Sequence, residues 1–249
     1  MTAPTYQDVV KANLPLGAWA LSESSGTDFV PYLGPYHLTG GGTLLYQQAG
    51  PFGASLSLHL AVGAFLHTNS MPFPSSGGVL EAWFKLDVYP PTTTVALLYW
   101  GNSASNGNGL VVVSGGGLQA FAPGGSTVTP GINLGSGWHH VMFGNPSPSG
   151  GSAIALDGKV VYTKSTGVGG TAGNPDQVGF GSTSSSNAAA AISVAYPAVY
   201  NNYLTPQLAG AAFVASTDPT SALAYTLVGQ GQSDQSILQQ ILDSVRKIF

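Results

Sequence analysis

The sequence predicts an all-β fold, a two-sheet antiparallel sandwich with a short N-terminal helix and an amphipathic C-terminal helix. From Leu16 to about Val199, short apolar runs alternate with turns rich in Gly, Ser, Asn and Pro. From Leu56 to Val62, large apolar residues occupy every second position, which is the period of a strand with one buried face. Asp157-Gly158 lies between two apolar runs and predicts a hairpin, because a type I′ turn needs positive φ at both central residues.

The first element is a helical lead over residues 1–13. Thr5 is followed three residues later by Asp8, which is an N-cap pattern, and the pair Leu14-Pro15 ends the helix. We therefore expect the sandwich to begin at about residue 14.

Strand patterns then follow one another without helical patterns between them. This order favours antiparallel strands joined by turns over βαβ units. The glycine run at Ser114–Gly117 predicts a further hairpin. The predicted strands cover Ser55–Val62, Val79–Val88, Val95–Trp100, Gly109–Val113, Trp138–Phe143, Ala153–Tyr162 and Ala189–Tyr200.

The sandwich is predicted to end at about residue 215, where the pattern becomes helical. Thr205 can cap a helix, and Pro206 fits its first position. Residues 216–233 are predicted to be a connector. Residues 234–249 predict a second helix of a different character, because they hold four of the 16 charged side chains of the chain.

The C-terminal helix is predicted to be the assembly element. Its apolar residues recur at spacings of three and four and form one broad face. A helix of this length is marginal alone in water, so the face must pack against something. We expect a homo-oligomer, most simply a trimeric bundle, or docking on another protein; the alternative is packing on its own sandwich. The face consists of Ile237, Leu238, Ile241, Leu242, Val245, Ile248 and Phe249.

Composition excludes several classes of function. The chain has six Lys or Arg and ten Asp or Glu, a net charge of −4, which disfavours nucleic acid as a partner. It contains no Cys, so disulfides and thiolate metal sites are excluded. Its apolar runs fall short of the ~18 residues of a membrane span. Its start lacks the basic and apolar regions of a signal peptide.

Five segments carry a family resemblance. They are Leu16–Asp28, Leu80–Lys85, Gly137–Val141, Leu156–Lys159 and Ala198–Thr205. In this order and spacing they resemble the laminin-G-like and concanavalin-A-like jelly-roll domains, over residues 14–215. The resemblance implies that the sandwich is a jelly roll. The residues expected to be buried in it include Trp19, Leu58, Leu80, Ala82, Phe84, Val141 and Ile154.

The two ends of the chain carry a second resemblance. Tyr6, Val9, Val10 and Pro15–Glu23, with Val245–Phe249 at the end, are similar to the termini of minor tail proteins of long-tailed bacteriophages, many of which carry such a domain. This resemblance implies a non-enzymatic structural or adhesion protein of the virion, made in the host cytoplasm. Its partners would be other virion proteins and a glycan of the host surface. The alternatives are a carbohydrate-binding module of a cellular surface protein and a capsid decoration protein.

The sequence predicts no catalytic residue, cofactor or metal ligand. Glycosidases need two carboxylates about 5–10 Å apart across the sugar. Glu81 and Asp87 lie six residues apart on one predicted strand, a distance of roughly 20 Å. His139 and His140 are adjacent in a strand and point to opposite faces, so they cannot share a metal ion. We therefore expect no enzyme.

Calcium is an alternative that the sequence disfavours. Related lectins bind calcium at the rim of the sandwich, and the ion needs six or more oxygen ligands, usually with more than one carboxylate. Asp28, Asp157 and Asp176 lie in separate loops, and none has a second acid beside it.

The candidate glycan contacts surround the polar loop over residues 101–109. Amide side chains can hydrogen-bond to sugar hydroxyls beside an exposed aromatic ring. The candidates are Tyr99, Trp100, Asn102, Asn106 and Asn108.

Overall fold

The computed structural model describes residues 6–52, 55–68, 71, 78–101, 107–121, 127–128, 130–147, 151–164, 177–182 and 188–217. The elements in these ranges are, in chain order, α1 (Tyr6–Ala12), β1 (Pro15–Ala18), β2 (Asp28–Phe29), β3 (Leu38–Gly41), β4 (Leu44–Ala49), β5 (Leu56–Leu60), β6 (Phe65–His67), β7 (Val79–Leu86), β8 (Val95–Gly101), β9 (Asn108–Val112), β10 (Leu118–Phe121), β11 (Thr127–Val128), β12 (His139–Gly144), β13 (Ser152–Leu156), β14 (Lys159–Lys164), β15 (Gln177–Phe180), β16 (Ile192–Tyr200) and α2 (Pro206–Thr217). Neither helix is long and apolar enough to cross a lipid bilayer.

The strands form two eight-stranded antiparallel sheets. The first sheet has the order β14-β13-β12-β7-β16-β5-β4, and β1 also pairs with β16. The second sheet has the order β11-β10-β9-β8-β15-β6-β3-β2. The predicted all-β class and two-sheet antiparallel sandwich are confirmed.

The main core lies between the two sheets. Each strand contributes its alternate residues to it, as Leu80, Ala82 and Phe84 of β7 do. The residues predicted to be buried are at most 1% exposed. They are Trp19, Leu58, Leu80, Ala82, Phe84, Val141 and Ile154.

A second cluster covers part of the outer face of the first sheet. The two helices pack there on the other alternate residues of β7, so this strand is buried on both faces from Val79 to Phe84. Tyr6 and Val10 of α1, and Leu208 and Ala212 of α2, belong to the cluster. The helices therefore act as a cover for one half of the first sheet.

Several local predictions are confirmed. Asp157 and Gly158 have φ angles of 48° and 79°, as a type I′ turn requires. The glycine run at Ser114–Gly117 joins the paired strands β9 and β10. Thr205 caps α2, because its Oγ1 accepts a hydrogen bond from the Leu208 amide at 3.1 Å.

Some terminal predictions fall elsewhere. α2 continues to Thr217, into the region predicted to be a connector. Thr5, the rest of the connector and the helix predicted over 234–249 lie outside the described residues.

Candidate functional site

A fully buried carboxylate lies on the outer face of the first sheet. Glu81 is 0% exposed, and hydroxyl groups from Tyr6 and Tyr200 donate hydrogen bonds to its Oε1 and Oε2. His140 Nε2 lies 2.7 Å from Oε1. Because an ionised carboxylate only accepts hydrogen bonds, this nitrogen carries the proton. The donors belong to α1, β16 and β12, so the acid connects three elements to β7.

These contacts set the protonation states of the buried groups. Burial by itself raises the pKa of Glu81, but hydrogen bonds from His140, Tyr200 and Tyr6, with the electrostatic attraction of His140, hold this pKa below its ordinary value. Burial and the neighbouring carboxylate raise the pKa of Tyr6 and of Tyr200. Glu81 is therefore ionised at neutral pH, and both phenols keep their protons as donors.

Aromatic rings close over this carboxylate. The Phe52 ring packs edge-on against Trp83 at 5.7 Å and stacks on Tyr196 at 5.3 Å. Phe213 of α2 stacks on Trp83 at 5.9 Å, and Tyr6 contacts both Phe52 and Tyr196. The carboxylate is sealed from solvent, so it holds the helices in place and is out of reach of a substrate.

The acid that directly follows β7 has a different partner. Asp87 Oδ2 lies 2.8 Å from His59 Nε2, and the Asp87 side chain is 42% exposed. Glu81 and Asp87 therefore do not form a carboxylate pair.

The other half of this outer face is accessible to solvent. Cross-strand register places Leu45 opposite His59, His59 opposite Ser193, and Ser193 opposite Lys85. His139 pairs with Phe84, so the next position along the register places Trp138 beside Lys85. We call this line of side chains, Leu45, His59, Ser193, Lys85 and Trp138, the open row. At about 4.8 Å per strand it spans roughly 19 Å.

The open row combines an aromatic ring with polar groups. Lys85 is exposed and Trp138 is half-buried. His59 is 15% exposed at its side chain, and Ser193 is 7% exposed. Small-molecule sites on proteins commonly place a few polar groups beside an aromatic surface. This half of the sheet therefore offers a floor on which a polar ligand can lie.

The type I′ turn holds the start of β12 in place. Asp157 Oδ1 accepts a hydrogen bond from the His140 amide, and its Oδ2 lies 2.9 Å from His139 Nδ1. Burial raises the pKa of Asp157, but the hydrogen bond from His139 and other contacts outweigh burial and lower it. The Asp157 hydrogen bond raises the pKa of His139. Trp138, one residue earlier, is thereby fixed at the edge of the open row.

The structure corrects the expectation of an exposed aromatic at Tyr99 or Trp100. Trp100 is 3% exposed and packs against Phe143 in the core, with ring centroids 5.0 Å apart. Tyr99 lies on the outer face of the second sheet, but it is 0% exposed, because Gly107 and Phe121 lie against its ring. β8 is a continuous apolar strand that is buried on both faces. Its sequence alone does not distinguish it from a strand that exposes an aromatic ring on one face.

Of the predicted amide contacts, Asn108 lies within the described residues. Asn108 is 1% exposed, within β9. Asn102 and Asn106 lie outside the described residues. The three described candidates, Tyr99, Trp100 and Asn108, are therefore buried.

The predicted loop acids have separate histidine partners. Asp28 Oδ1 lies 2.8 Å from His37 Nδ1, and Asp157 pairs with His139. Asp176 lies outside the described residues. Within the described ranges, His, Asp and Glu side chains form no group of three that could hold a metal ion.

Comparisons of sequence leave the family open. The chain matches no protein-family model and no curated protein.

Solved structures are similar in fold. The binding domain of botulinum neurotoxin serotype D aligns with 81% of this chain and 51% of its own length, with a TM-score of 0.60 and 10% identity. A botulinum neurotoxin type C structure aligns with 82% of this chain and 52% of its own, with a TM-score of 0.60 and 11% identity. Trypanosoma rangeli sialidase aligns with 88% of this chain and 34% of its own, with a TM-score of 0.62 and 15% identity. The chain thus spans about half the length of the neurotoxin domains, and the likeness establishes a jelly-roll-like sandwich.

Tyr6 provides a direct test of the helix attachment. Tyr6→Phe removes one donor from a buried ionised carboxylate, so we expect the free energy of unfolding to fall by about 1.5–3 kcal/mol. Urea denaturation measures this loss. The control is Tyr203→Phe, in the half-buried loop after β16, which should leave stability within about 0.5 kcal/mol. Equal effects of the two substitutions would contradict the role given to Tyr6.

Proposed function

We propose that the chain is a non-enzymatic structural and adhesion protein of a bacteriophage virion, a minor tail protein whose sandwich contacts glycans of the host surface. The observation that carries the adhesive part is the open row, where the half-buried ring of Trp138 lies beside the exposed side chain of Lys85. Aromatic rings pack on the apolar face of a sugar, and the neighbouring polar groups fix its hydroxyls.

Proteins of similar fold support a role in glycan contact. Cell entry of botulinum neurotoxin type C depends on interaction with two ganglioside molecules, and the binding domain of a botulinum neurotoxin DC is known in complex with SialylT. The Trypanosoma rangeli sialidase structure contains sialic acid. By analogy of fold, we extend contact with surface sugars to this chain.

The site chemistry supports a binding protein over a hydrolase. Sialidases use a tyrosine nucleophile where other glycosidases use a carboxylate, and a tyrosine-glutamate pair is present here at Glu81. However, Glu81, Tyr6 and Tyr200 are all at most 4% exposed, so a sugar has no access to them. Asp87 is exposed but is engaged by His59. The described residues therefore offer no accessible pair for general acid and nucleophile.

The virion part of the proposal is supported by the resemblance of Tyr6–Glu23 and Val245–Phe249 to minor tail proteins. It is tested by electron microscopy of phage particles labelled with an antibody raised against this chain. We expect label on the tail. Label on the head would instead indicate a capsid decoration protein. Unlabelled particles would favour the carbohydrate-binding module of a cellular surface protein.

The adhesive part is tested by removing the aromatic ring of the open row. Trp138→Ala should weaken binding to a glycan array by about tenfold, because it deletes the stacking surface. The matched control is Tyr203→Ala, since this half-buried aromatic residue lies in a loop away from the open row. Loss of binding in both variants, or in neither, would contradict a site at the open row.

We also propose that the helix over residues 234–249 joins the chain to its copies or to other virion proteins. Burial of its seven large apolar side chains is worth on the order of 10 kcal/mol before entropy is deducted. This free energy is large enough to determine whether the helix associates with another chain.

Deleting residues 234–249 should abolish oligomerisation in light scattering and leave the thermal melting of the sandwich unchanged. A full-length variant with Leu238→Asp and Val245→Asp should behave like the truncation, because it interrupts the same apolar face. A monomeric full-length protein whose truncation melts several degrees lower would show that the helix packs on its own sandwich.

A further inference from the structure

We propose that the open row recognises sugars through a carboxylate group, with Lys85 as its counter-charge, so that acidic glycans are the preferred ligand class. This inference rests on the proposed glycan-binding function and specifies its chemistry. It is carried by the position of Lys85, an exposed cation without a carboxylate partner among the described residues, beside the half-buried ring of Trp138.

Lys85 supplies the central charge of the row. Its position lies between Ser193 on β16 and Trp138 before β12, and its side chain is exposed. Among the described residues, no carboxylate lies within salt-bridge distance of Lys85. The ammonium group therefore keeps three donors available and has a full charge to offer a ligand.

The acceptor nearest to the row is already engaged. Asp87 Oδ2 lies 2.8 Å from His59 Nε2, so this carboxylate faces an imidazole and does not pair with Lys85. Ser193, beside Lys85, adds a hydroxyl that can donate or accept. Among the described residues, Lys85 is therefore left without a carboxylate counter-charge.

The aromatic ring of Trp138 completes this arrangement. Trp138 packs partly on the outer cluster and is half-buried, so part of its ring remains accessible. A pyranose lying against this ring would place a substituent over Lys85, one strand away at about 4.8 Å. Contact with the ring would supply part of the binding affinity, and the ammonium group would give the preference for a negatively charged sugar.

The experiment compares acidic oligosaccharides with their carboxyl-reduced derivatives on one array, using the full chain. Each pair differs only in replacement of the carboxylate by a hydroxymethyl group. Wild-type protein should bind the acidic member roughly tenfold more tightly, as expected for a charge-assisted hydrogen bond. Lys85→Gln should bind both members equally, and Lys85→Arg should retain the preference.

Lys159→Gln is the matched control. Lys159 is exposed at the start of β14, and its substitution changes the net charge of the chain by the same amount as Lys85→Gln. This variant should keep the wild-type preference, because its charge lies away from the open row. Unchanged melting temperatures of both variants would confirm that binding alone is affected.

The outcomes separate the two proposals. Equal binding of acidic and reduced sugars by the wild type, with loss of binding in Trp138→Ala, overturns the carboxylate proposal and leaves glycan binding intact. A preference that disappears equally in Lys85→Gln and Lys159→Gln also overturns it, because net charge would explain the effect. Absence of binding to every glycan overturns both proposals.

Discussion

The buried negative charge of Glu81 is the constraint on which the rest of the structure depends. An ionised carboxylate without water is tolerated only when its oxygens are fully hydrogen-bonded. Here the three donors are separated from Glu81 by 75, 59 and 119 residues. α1, β12 and β16 must therefore all be in place before the charge is satisfied. The aromatic rings of Phe52, Trp83 and Phe213 then exclude water, which makes each of these hydrogen bonds stronger.

This constraint divides the outer face of the first sheet into two halves. The helices and the aromatic rings occupy the half around Glu81, where Tyr6, His140 and Tyr200 contact the buried carboxylate. The strands continue beyond this cover, and the open row lies on the part that remains accessible. Lys85 and Asp87 are notable there because the chain has only 16 charged side chains. Because the chain has few charged side chains, a single exposed lysine has a larger effect on which ligands bind.

Local signals in the sequence were sufficient for much of the fold. Alternation over Leu56–Val62, the Asp157-Gly158 turn and the Thr205 cap each depend on neighbours within a few residues, so a short window contains the information. The open row depends instead on the register of five strands that are distant in sequence. A short stretch of sequence does not contain this information. The run Val79–Leu86 carried part of the signal for the cover, since Val79 and Trp83 add apolar residues to the face opposite Leu80, Ala82, Phe84 and Leu86. An acid inside such a run indicates a buried network, and its donors Tyr6, His140 and Tyr200 become identifiable only after folding.

The most direct test is the protonation of Glu81 in the folded protein. The chain contains two glutamates, Glu23 and Glu81, so ¹³C-glutamate labelling yields two side-chain carboxyl signals, and Glu81→Gln assigns them. The pKa of Glu81 is lowered, so its contribution to stability is present above the ordinary glutamate pKa and is lost as pH falls through the folded value. We expect the Glu81 signal to titrate below the ordinary value of about 4.3, with unfolding following its protonation. A midpoint above that value would show a neutral buried acid and contradict the charged network proposed as the centre of the fold.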